Sequence, residues 1–77
     1  MINLEQLRNI LSRNIREKTP QAIELKMPGE TVITSADADA VINELSIRGA
    51  DEVELLKCDC TYLVDNDFLY ALTVEVK

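Results

Sequence analysis

Residues 55–77 read LLKCDCTYLVDNDFLYALTVEVK, and they decide the fold. Folded about Asp65-Asn66-Asp67, the two arms of this stretch match residue for residue. Val64 then faces Phe68, Tyr62 faces Tyr70, Cys60 faces Leu72, Cys58 faces Val74 and Leu56 faces Val76. These residues alternate along each arm, so they share one side of a β-ribbon. The other side pairs Leu63 with Leu69, Thr61 with Ala71, Asp59 with Thr73, and Lys57 with Glu75, a favourable opposite-charge pair. A slip of one residue would turn the whole apolar set to the wrong face, so the register is strongly specified.

Upstream, Val53 and Leu55 have the opposite parity to Leu56, Cys58 and Cys60. A bulge or bend is therefore expected near Leu55-Leu56. Ahead of it, Thr34-Ser35-Ala36-Asp37 opens a second helix with Thr34 or Ser35 as the expected cap. Ala38, Val41, Ile42 and Leu45 form its buried stripe, Asp37 and Asp39 sit in the first turn, and Gly49 terminates it. Ala36, Ala40 and Ile47 make a small apolar line on its other side, with Ile47 expected to tuck under the next segment. Met27-Pro28-Gly29-Glu30 carries the chemistry of a type II turn. That turn joins a strand containing Ile23, Leu25 and Met27 to a short run, Thr31-Val32-Ile33-Thr34, in a small hairpin.

A first helix begins after Asn3, where Gln6 completes a capping-box pattern. Leu4, Leu7, Ile10, Leu11 and Ile15 recur at helical spacing, and Thr19-Pro20 is the expected stop. Arg13, Arg16 and Lys18 crowd its last turns, where cations complement the helix dipole. The expected fold is one α+β domain over residues 1–77, in αββαββ order. Two helices cover one face of a four-stranded, largely antiparallel sheet.

Seventy-seven residues with 47% hydrophobic content are close to the size at which one core just suffices. Net charge is −6. Residues 1–26 carry five basic and three acidic side chains, and residues 27–77 carry three basic and eleven acidic ones. This balance argues against direct contact with nucleic acid or an anionic membrane surface. The first residues lack the basic-then-apolar order of a signal peptide, so the cytoplasm of the producing cell or of a host is expected.

The chain contains no histidine, which removes the commonest general base and most zinc sites. Cys58 and Cys60 point to the same side of their strand and are expected to be inert core thiols without metal. Asp37-Ala38-Asp39 runs on into Val41 and Ile42, where a calcium loop needs oxygen ligands. Asp65-Asn66-Asp67 is accounted for by turn preference. No cofactor or catalytic group is expected.

The function that best suits these features is a small acidic, non-catalytic interaction module: an inhibitor, adaptor or regulator of a larger protein partner. Leu63, Leu69 and Ala71 form its candidate partner surface. One alternative is mimicry of nucleic acid against a DNA- or RNA-binding target, as in phage anti-defence proteins. Asp37, Asp39, Glu44, Asp51, Glu52, Glu54, Asp59, Asp65 and Asp67 would stand in for phosphates. Another is a homo-oligomeric assembly component that uses the hairpin edge or the Ala36/Ala40/Ile47 line.

Overall fold

The computed structural model describes residues 1–15, 22–35, 37–65 and 67–77, with the side chains of residues 62–70 outside the description. Arg16, Lys18, the Thr19-Pro20 stop and Ala36 therefore lie outside the described residues. Helix α1 spans Leu4–Asn14. Its capping box forms as the sequence spells it: the Gln6 backbone N–H donates to Asn3 Oδ1 at 2.8 Å, and the Asn3 N–H donates to Gln6 Oε1 at 2.9 Å. Helix α2 spans Ala38–Ile47. Its cap is Asp37 rather than Thr34 or Ser35, with Asp37 Oδ1 accepting from the Asp39 N–H at 3.1 Å. Thr34 is held in the sheet instead, where its hydroxyl donates to the Ile23 carbonyl.

At the other end of α2, Gly49 adopts φ +78°. Its N–H donates to Ser46 O, and the Ala50 N–H donates to Leu45 O at 3.0 Å. These are the two hydrogen bonds of a Schellman termination, which only a left-handed residue allows without strain. The reversal carries the chain back toward Leu45, so Ala50 and the buried Val53 pack on the core. Ile47 is left outside at 71% exposure, contrary to the expected tuck.

The main sheet has the order β3-β2-β6-β5, with β2 at Ala22–Met27, β3 at Glu30–Thr34, β5 at Leu55–Asp65 and β6 at Asp67–Val76. The Met27–Glu30 hairpin closes through Gly29 at φ +79°, as a type II turn requires. The long hairpin pairs in the expected register from Val64↔Phe68 to Lys57↔Glu75.

The sheet is mixed, not largely antiparallel: β2 and β6 run parallel, with Ile23 beside Leu72 and Leu25 beside Val74. The topology requires this. One intervening helix returns the chain to its starting end, so the two strands that it joins, β3 and β5, run the same way. Their hairpin partners β2 and β6 then also run the same way. Two further short strands, β1 at Ile2–Asn3 and β4 at Glu52–Val53, pair antiparallel beside the main sheet.

The expected bulge is present between Leu55 and Lys57, and it corrects one pairing. Leu55, not Leu56, lies opposite Val76. Leu56 is the extra residue and stands 51% exposed. The core is a single layer between the helices and one sheet face. Leu7 and Leu11 of α1 and Ala38, Val41 and Leu45 of α2 meet Ile23, Leu25, Leu72, Val74 and Val76.

Candidate functional site

The open face of the sheet is built from the residues that alternate with this core. Its parallel register places Glu24 beside Thr73 and Lys26 beside Glu75. The flanking strands add Ile33 and Thr31 on one side and Asp59 and Lys57 on the other. Acid and base are mixed across this surface: Lys57 Nζ lies 3.2 Å from Asp59 Oδ2, and the Thr73 hydroxyl donates to Glu24 Oε2 at 3.5 Å.

Two apolar side chains stand at its margins. Ile33 on edge strand β3 is 72% exposed. Leu56 is turned outward by the bulge of β5, where it lines a shallow pocket of about 140 Å³ with Lys26, Met27, Pro28, Glu75, Val76 and Lys77. Three strand spacings, roughly 14 Å, separate the two margins.

The expected apolar surface is placed only in part. The backbone register sets Leu63 opposite Leu69 and Thr61 opposite Ala71. Ala71 is half-buried, while the Leu63 and Leu69 side chains lie outside the described residues. Ile33 and Leu56 were not singled out by sequence reasoning as surface residues. For Leu56 the signal was available, since the parity break at Leu55-Leu56 requires one residue to leave the alternation. For Ile33 none was, because Val32 and Ile33 are interchangeable until the register chooses which faces the helices.

The expected acidic surface is not brought together as one patch. Asp37 is spent on the α2 cap, and Asp39 Oδ1 pairs with Arg8 Nε at 2.7 Å across the two helices. Glu44 lies 3.1 Å from Arg48 Nε, and Arg48 also reaches Glu30 at the β2–β3 turn. Glu30 above all, then Glu44, pushes the already basic Arg48 guanidinium further up despite some desolvation. Asp59 faces the opposite side of the molecule on the open sheet. Asp51, Glu52 and Glu54 are exposed around β4, and the Asp65 and Asp67 side chains lie outside the described residues.

The cysteines share the core side of β5 as expected, opposite Val74 and Leu72, but are not fully buried: Cys58 is half-buried against the core and Cys60 is exposed. The fully buried side chains of the main sheet lie on its two inner strands, whereas β5 is an edge strand that meets the C-terminal end of α1. Asn14 there donates from Nδ2 to Cys58 Sγ at 3.3 Å, and the Cys60 thiol donates to the Asn14 carbonyl at 3.5 Å. Burial pushes the Cys58 thiol up, with Cys60 and Asp59 adding to the effect and the Asn14 hydrogen bond opposing it.

No protein-family model, curated protein or solved structure matches this chain. Among the described residues, no helix is long and apolar enough to cross a membrane.

Proposed function

We propose that this chain is a small non-catalytic interaction module, an inhibitor, adaptor or regulator that binds a larger protein through the open face of its sheet. The observation that carries this reading is the pairing of Ile33 and Leu56, strongly exposed apolar side chains, at the two margins of a mixed-charge surface. Apolar anchors among polar groups of both signs suit a protein partner, because each charge can find its complement while the anchors supply desolvation energy. A catalytic reading has less support, since the chain lacks histidine and the pocket beside Leu56 is shallow.

Nucleic-acid mimicry is the less favoured alternative. Asp39, Glu44 and Asp59 are engaged with Arg8, Arg48 and Lys57, and they are divided between two faces. Self-assembly through a sheet edge is the third reading.

The deciding experiment is capture of partners from nuclease-treated lysate on immobilised wild-type, Ile33→Glu, Leu56→Asp and Asp51→Asn/Glu52→Gln/Glu54→Gln chains, washed over a salt series. The expected result is a partner that withstands high salt and is lost on the two sheet variants alone. A partner that leaves at moderate salt and is lost only on the triple variant would replace this reading with mimicry. Recovery of the bait alone, with concentration-dependent association of the purified chain, would replace it with self-assembly.

A further inference from the structure

We propose that Cys58 and Cys60 form a two-thiolate site for one soft monovalent metal ion, of the Cu(I) class, at the junction of edge strand β5 with the C-terminal end of α1. The two residues lie two apart on one strand, so their side chains project to the same side, with Cα atoms about 6.6 Å apart. Parallel Cβ vectors at that spacing are too far apart for an unstrained disulfide, which needs Cβ atoms within about 3.5–4.5 Å. The spacing instead suits a bridging ion. With metal–sulfur bonds of about 2.3 Å, an ion between two sulfurs holds them roughly 4.6 Å apart, so each side chain need lean inward by only about 1 Å.

Thiolates select soft ions of this kind, and two-coordinate binding requires no third ligand. Among the described residues, no group of three or more cysteine, aspartate or glutamate side chains is placed to hold a metal, so the site as built does not suit tetrahedral zinc.

Asn14 organises the pair. Both sulfurs lie within 3.5 Å of an Asn14 atom, and its side-chain amide is itself anchored by donating to the Ile10 carbonyl at 3.1 Å. The N–H donated to Cys58 Sγ partly offsets the burial and the neighbouring Cys60 and Asp59 that raise this thiol, as a supporting hydrogen bond does for a metal ligand. Cys60 is exposed and gives the ion its entry path. On binding, two S–H bonds break, two sulfur–metal bonds form and two protons pass to solvent. The ion remains monovalent throughout, and no electron is transferred. On binding Cu(I), the Cys60 sulfur gives up its contact with the Asn14 carbonyl along with its proton.

The test is anaerobic titration of the full chain with acetonitrile-stabilised Cu(I), in competition with bathocuproine disulfonate and with stoichiometry read by native mass spectrometry. One ion per chain is expected, with at least a tenfold loss of affinity in each of Cys58→Ser and Cys60→Ser at unchanged circular dichroism. Asn14→Ala is expected to weaken binding while retaining one ion per chain. Undiminished affinity in either serine variant, or an ion shared between two chains, would overturn the site. Should a serine variant unfold, iodoacetamide protection of the wild type decides instead. One equivalent of Cu(I) must protect both thiols together, and protection of one or neither refutes the proposal.

Discussion

Truncating Leu56 tests the bulge that shapes the open face, and its expected cost is small. Leu→Ala removes three carbons, which at about 0.8 kcal/mol each would amount to ~2.4 kcal/mol for a buried side chain. Leu56 is 51% exposed, so roughly half of that, about 1.2 kcal/mol, is expected, and no cavity is left because solvent fills the space. Val76 provides the contrast. It is 3% exposed and lies opposite Leu55. Val76→Ala removes two carbons, ~1.6 kcal/mol of transfer, and the closed cavity brings the cost to about 2–3 kcal/mol. Urea unfolding followed by far-ultraviolet circular dichroism separates these values, provided the denaturant slope is the same for all three proteins. For a domain of this size, 1 kcal/mol corresponds to about 4–8 °C in Tm, so a thermal scan is an independent check. A cost for Leu56→Ala equal to or above that for Val76→Ala would refute the bulge and restore the straight register, with Leu56 in the core. The same result would disqualify Leu56→Asp as a probe of the proposed interface.

Three other outcomes follow from the geometry. Gly49→Ala should destabilise by about 1 kcal/mol, because its φ of +78° costs an L-residue ~1–2 kcal/mol while the unfolded chain loses some freedom. Beyond the residue itself and its two chain neighbours, no atom lies within 4 Å of the added methyl, so a loss far above that in urea unfolding would contradict the open termination. Asn3→Ala and Asp37→Ala should each cost about 1 kcal/mol, and their sum in the double variant should be nearly additive, since the caps serve different helices. In the metal-free protein, the raised Cys58 thiol makes stability fully present below the unfolded thiol value of about 8.5 and progressively lost as pH rises through the folded value. Urea midpoints at pH 7 and pH 10 should therefore fall more for wild type than for Cys58→Ser, and equal falls would contradict the burial of that sulfur.

The local devices were legible because each is a short-range rule written in adjacent residues. The Asn3/Gln6 capping box, the Pro28-Gly29 turn and the Gly49 terminator depend on backbone geometry that three or four residues settle among themselves. The long hairpin was equally readable: a period of two and a central turn leave one register that keeps the apolar residues together. Even the bulge announced itself through the change of parity between Leu55 and Leu56.

Tertiary structure decided where those pieces face. That β2 and β6 run the same way follows from one helix joining two hairpins, but that they are neighbours, and so make the sheet mixed, is a non-local relation that no window of sequence contains. Whether Cys58 and Cys60 are core or surface depends on which strand is the edge, and only the order β3-β2-β6-β5 places β5 there. Ile33 and Ile47 are apolar by sequence and exposed by topology. The physical reason is the same in each case. Local hydrogen bonding and alternation determine the elements, whereas exposure is a property of the layer that covers them, and under two helices of eleven and ten residues the fully buried side chains of the main sheet, among the described residues, all lie on its two inner strands.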